Sequence, residues 1–133
     1  NKSENTPLVW LGFLGLTIWI IGFYFEAVGD VQLVRFKKNP NNKGKLLQEG
    51  LWSLTRHPNY FGEVMQWWGI GIVALAIQDG WMGLIGPLTI TFLILKISGI
   101  PMLEKNMESH PDFENYKKKA NAFFPRIRFL NKN

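Results

Sequence analysis

The chain has 133 residues, 47% of them hydrophobic, with a formal net charge of +5. Mean hydropathy is nevertheless -0.02, so the apolar residues must be gathered into runs. There is no cysteine and there are two histidines, His57 and His110. This excludes disulfides, thiolate metal sites and a cysteine nucleophile, and argues against a histidine-rich metal site.

The first uncharged run is Pro7 to Phe25. A spanning helix needs about 20 mostly apolar residues, and this run qualifies. It lacks a basic leader and a small-residue cleavage site, so it reads as a span rather than a signal peptide. Its far end carries Glu26 and Asp30, four residues apart and so on one helical face. The pair either ends the span at the water boundary or accepts hydrogen bonds from ribose hydroxyls or a carboxamide. Burying such a carboxylate in mid-membrane costs about 2.5–3.5 kcal/mol on insertion scales, which argues for a partner.

Asn39 to Gly44 is rich in turn formers and ends the helix. Around it lie Arg35, Lys37, Lys38, Lys43 and Lys45. They obey the positive-inside rule and suit anionic lipid, or they clamp phosphates. Neither a G-x-G-x-x-G nor a Walker sequence is present, so a Rossmann or P-loop site is not supported.

Arg56-His57-Pro58-Asn59-Tyr60, followed by Glu63, opens the second span. Pro58 suits a first helical turn. Asn59, Glu63 and Gln66 then share one face, with Arg56 just ahead of it. Five polar side chains crowd a helix start whose free N–H groups favour an anion. Gly69 and Gly71 allow close helix packing. Asp79-Gly80 marks a turn. A third helix is predicted from Trp81 to Gly99, kinked at Pro87, with Pro101 bending the chain into the tail.

The tail carries Glu104, Met107, Phe113 and Tyr116 among charges. It reads as one amphipathic helix, or two broken near His110-Pro111, closed by an apolar Phe123-Phe124-Pro125 anchor. Glu104, Lys105, Asn106 and Tyr116 either form a solvated face or belong to a tail folded back over a ligand. Of the 15 Lys and Arg residues, all but Lys2 and Lys96 lie between Val28 and Pro58 or after Pro101. The expected architecture is an all-α membrane bundle. Spans at about 7–35, 59–78 and 81–100 leave loop 36–58 and tail 101–133 in the cytosol, below a bacterial inner membrane or the endoplasmic reticulum. The partners expected are the bilayer and a hydrophobic substrate, with no nucleic acid.

Two stretches carry a family resemblance: GLWSLTRHPNYFGE before an apolar helix, and LEKNM with PDFENYKKKANAFFP at the end. From about Phe25 to Pro125 the chain resembles the C-terminal domain of the steroid 5-alpha-reductase family, in its branch of bacterial and eukaryotic multi-pass membrane proteins. The resemblance implies an oxidoreductase that uses NADPH to reduce an activated carbon–carbon double bond in a steroid or lipid enone. It implies NADPH contacts at Asp30, Lys37, Lys45 and Asn59. Glu26 stands where the steroid enzymes have asparagine. Lys37 and Lys45 stand where they have arginine, so charge is kept and bidentate phosphate contact is lost. Arg56, His57, Tyr60 and Glu63 complete the candidate cofactor set, and no metal is expected. The family's catalytic Glu and Tyr lie in helices upstream of this segment. The chain is therefore expected to be the C-terminal part of a larger bundle, carrying most of the cofactor half. The isoprenylcysteine carboxyl methyltransferases, which are more distantly similar, share Arg-His-Pro-x-Tyr-x-Gly at the same helix start. They make S-adenosylmethionine the alternative cofactor. A non-catalytic scaffold of the same fold is the third reading.

Overall fold

A computed structural model describes residues 2–77 and 80–126, with side chains from Val9 onward. The long helix α1 runs Lys2–Lys38 and takes in the polar lead-in. Its 37 residues reach about 55 Å at about 1.5 Å per residue, well beyond a hydrocarbon core of about 30 Å. It stops where expected. Pro40 opens a 3₁₀ turn capped by Asn39, whose side chain accepts from the Asn41 amide at 3.0 Å. The Asn42 side chain donates to the Phe36 carbonyl at 3.0 Å, which also accepts from the Asn39 amide at 3.3 Å, so this end of the helix is tied to the turn.

Helix α2, Pro58–Ala74, starts with its proline in the first turn. It ends four residues short of the predicted limit at 78, and Gln78 and Asp79 of the expected turn lie outside the described residues. It returns antiparallel along α1 on a glycine seam. A Cβ at Gly22 would stand 2.6 Å from the Gly62 carbonyl oxygen, and one at Gly69 would stand 2.6 Å from that of Gly15. Only hydrogen at these positions lets the two backbones touch. Gly71 serves a different neighbour: its missing Cβ makes room for Pro87.

The predicted third helix departs from expectation. A 3₁₀ turn, Gly80–Leu84, leads into α3, Ile85–Phe92. A π-helical turn, Leu93–Ile97, follows, and α4 then runs Ile100–Met107. Pro87 lies in the first turn of α3, where its missing N–H is no loss, so it is not the break. The interruption falls at Ser98 and Gly99, whose amides both donate to the Leu93 carbonyl, at 2.9 and 3.3 Å. Pro101 occupies the first turn of α4. The tail does split near His110-Pro111, with α5 at Phe113–Lys119.

Two stretches, Val9–Lys38 and Gly80–Met107, are long and apolar enough to cross a membrane. Only 11% and 22% of their most apolar windows are buried, so neither is the core helix of a water-soluble fold. The small core forms where these stretches meet α2 and the tail. Phe61 and Val64 of α2 meet Ile94, Ile100 and Phe123 there. Phe61 takes Phe25 and Phe123 edge-on, at 5.0 and 5.4 Å between ring centroids. Half of the predicted anchor is thus seated: Phe123 is buried and Phe124 is exposed.

Candidate functional site

The segment between the first two helices is a strap stitched to both neighbours. On the α1 side, Gly50 has φ +62 and lies against Gln32, where a Cβ would stand 2.6 Å from the side-chain nitrogen. Gln32 Oε1 accepts from the Leu51 amide at 3.1 Å, and Trp52 Nε1 donates to the Gly29 carbonyl at 3.1 Å. On the tail side, Tyr116 donates its hydroxyl to the Trp52 carbonyl. The Arg56 amide donates to Asn121 O and the Arg126 amide to Leu54 O, both at 2.8 Å. Thr55 and Asn121 form an isolated parallel bridge.

This double stitching buries the polar core of the motif: Thr55 is 0% exposed, Arg56 6% and His57 2%. Arg56 donates through Nε to Glu104 Oε1 at 2.7 Å and through Nη1 to the Ala120 carbonyl at 2.6 Å. The same Glu104 oxygen lies 3.1 Å from His57 Nε2. Burial holds the His57 pKa below the usual histidine range, against the opposing pull of Glu104. Burial pushes Glu104 upward, but the hydrogen bonds from Arg56 and His57 outweigh it and hold the carboxyl below its ordinary value. Near neutral pH, then, Glu104 is ionised, Arg56 is matched and His57 is neutral. Burial keeps the Tyr116 hydroxyl protonated and able to donate.

Beneath the strap lies a cleft of about 610 Å³. The end of α1 and the turn after it form one wall, with Lys37 and Lys45. Trp52, Arg56, His57 and Asn59 form a second, and Leu103, Met107 and Tyr116 a third. Five predicted site residues therefore meet here: Lys37, Lys45, Arg56, His57 and Asn59. A separate hollow of about 340 Å³ lies between α1 and α2, lined by Glu26, Glu63, Gln66, Trp19, Trp67 and Ile70. Gln66 Nε2 donates to Glu26 there and to the Gly62 carbonyl at 3.2 Å.

Two groupings drawn from helical spacing need correction. Arg56, Asn59, Glu63 and Gln66 do not share one site. The first two line the cleft and the last two the hollow, because the residues sit at different depths along the helix. Glu26 and Asp30 do not act as a pair: Glu26 lies against α2, whereas Asp30 is exposed and lines neither space. Tyr60 also lines neither. It packs against the core, its ring 5.7 Å from that of His57. The residue missed as a site member is Glu104. Its signal was present: it shares an apolar face with Ile100, Leu103 and Met107, and a carboxylate on such a face needs a partner.

The family described as "Protein of unknown function (DUF1295)" matches residues 1–120. The chain belongs to the DUF1295 family. Steroid 5-alpha-reductase DET2 of Gossypium hirsutum is 37% identical to it over 84 residues, 62% of this chain and 31% of that protein. The 3-oxo-5-alpha-steroid 4-dehydrogenase 1 of Rattus norvegicus is 24% identical over 116 residues, 85% of this chain and 40% of the relative. The "Probable O-methyltransferase ustE" of Ustilaginoidea virens is 42% identical over 60 residues, 45% of this chain and 20% of the relative. The DUF1295 chain thus spans less than half the length of each. No solved structure matches it. The resemblance to the steroid reductases therefore holds. With its two apolar stretches, this DUF1295 chain is a membrane protein of a reductase-like family.

Proposed function

We propose that the chain supplies the NADPH site of a membrane reductase acting on a carbon–carbon double bond in a steroid-like or lipid enone. The observation that carries this reading is the arrangement of the two spaces along α2. Asn59, in its first turn, lines the cleft, and Glu63, one turn on, lines the hollow. A dinucleotide is an extended ligand with anionic groups in its middle and a carboxamide at one end. Among the described residues no ion pair holds Lys37 or Lys45, which line the cleft and suit the phosphates, and the start of α2 adds its partial positive charge. Arg56 is already matched by Glu104 and serves the scaffold instead. Glu26, Glu63 and Gln66 suit the carboxamide end. Bound NADPH would supply a hydride, and the residues here bind and orient it. The helical pair α1 and α2 together with the Gly80–Met107 stretch supports three spans, with the lysine-bearing loop and the tail facing the cytosol.

The methyltransferase relative favours S-adenosylmethionine as the second reading, over a shorter share of the chain. A titration separates the two. Trp52 lines the cleft, and Trp19 and Trp67 line the hollow, so tryptophan fluorescence reports on both. The purified protein in detergent is expected to show saturable quenching by NADPH. Saturable binding of S-adenosylmethionine without a response to NADPH would overturn the reductase reading. Silence toward NADPH, NADH and S-adenosylmethionine alike would leave the scaffold.

A further inference from the structure

We infer that Glu104 is a positioning residue: it fixes the tautomer of His57, so that His57 Nδ1 faces the cleft as a hydrogen-bond acceptor for an N–H or O–H of the ligand. The inference rests on the reading of the cleft as a cofactor site.

A carboxylate only accepts hydrogen bonds. His57 Nε2, 3.1 Å from Glu104 Oε1, must therefore carry the ring proton. A neutral imidazole has a single N–H, which leaves Nδ1 with a free lone pair. Burial favours this neutral form. Among the described residues none bonds Nδ1, and no side-chain nitrogen or oxygen is both buried and unpartnered. Nδ1 thus keeps contact with open space in a residue only 2% exposed, and the cavity that His57 lines is the cleft.

The rest of the cleft is mostly apolar, and its charged side chains are cationic. Lys37, Lys43 and Lys45 present ammonium groups along one wall. An acceptor in the same cleft as three cations gives the cleft mixed demands: it asks for a ligand that carries both anionic oxygens and a hydrogen-bond donor. A nucleotide meets both demands, through its phosphates and through a ribose hydroxyl or purine amino group. Glu104 sets this acceptor without facing the ligand, since its own charge is taken up by Arg56.

The chain's two histidines make the test direct. Nitrogen-15 spectra of histidine-labelled protein in detergent contain two ring pairs, and His110→Asn assigns them. The expected spectrum shows His57 with a protonated Nε2 and a bare Nδ1, and NADPH moves only the Nδ1 resonance upfield. Glu104→Gln offers an amide that either accepts or donates at Nε2. Both tautomers should then appear, with NADPH bound about tenfold more weakly, the scale of one lost hydrogen bond. A merely structural role would leave the tautomer unchanged in this variant. Finding the proton on Nδ1 in the parent protein overturns the inference. So does saturable NADPH binding that leaves Nδ1 unmoved, and in that case the reductase reading stands. If NADPH fails to bind and S-adenosylmethionine moves Nδ1, the reductase reading falls and the role of Glu104 remains.

Discussion

The strap ahead of α2 and the hollow between α1 and α2 hold their polar groups by opposite means. In the strap, Thr55, Arg56 and His57 are satisfied by residues far along the chain: Glu104, Ala120, Asn121 and Ala122. In the hollow, Glu26 and Gln66 satisfy each other across one helix pair, with help from the Gly62 carbonyl. The first arrangement depends on the tail. The second depends on how closely two helices approach. Disturbing each support in turn should damage one region and spare the other.

The largest effect is expected from Gly62→Val. Its Cβ would meet the Gly22 carbonyl and the Glu26 amide, both rigid backbone atoms. Overpacking commonly costs about 1–3 kcal/mol, and a site walled by backbone lies at or above the top of that range. Thermal unfolding in detergent should show most of the stability lost and the α1–α2 pair parted. A near-normal melting temperature would mean that the seam is looser than described.

Arg56→Ala should do less. It strips a partner from Glu104 and leaves the Ala120 carbonyl without a donor. Removing one member of a fully buried pair costs roughly 3–5 kcal/mol; Glu104 keeps 18% of its side-chain exposure, so about 2 kcal/mol is expected. Hydrogen exchange should rise in residues 113–126 and stay unchanged along α1. Equal loosening of both would erase the contrast between the two supports.

Acid should produce the mildest change. The pKa of folded His57 lies below its ordinary value of 6.5, so the unfolded chain takes up a proton more readily. The stability this contributes is complete above pH 6.5 and is lost as the pH falls below it. Glu104 acts in the same direction further down: its contribution is present above its ordinary 4.5 and disappears as the pH falls through the lowered value. Melting temperature should therefore fall between pH 7.5 and 5. His57→Gln should flatten the upper part of that decline, and a melting temperature that rises on acidification would contradict the pairing.

Much of the helical layout was legible because its causes are local. Pro58 announces a first turn, Asn39-Pro40 announces an end, and His110-Pro111 announces a break. The close approach at Gly69 was legible too, since glycine in an apolar helix has few other uses. Periodicity, however, gives the angle of a residue about the helix axis and not what stands opposite. It therefore joined Arg56 and Asn59 to Glu63 and Gln66, which look into a different space. The π-helical turn at Leu93–Ile97 left no mark that separates it from an ordinary apolar helix. The bond from Glu104 to Arg56 crosses 48 residues, and no local pattern encodes such a closure.

That closure also sets an order of events during synthesis. The α1–α2 pair carries its own seam and can form as soon as Ala74 has left the ribosome. The strap must wait, because the carbonyl that takes Arg56 Nη1 belongs to Ala120, 64 residues later. Until then the arginine and its histidine neighbour, buried in the finished fold, lack their cover. The growing chain thus keeps its cleft unfinished until nearly its last described residues, and a chain stopped short of Ala120 would insert its first helices and still lack a site.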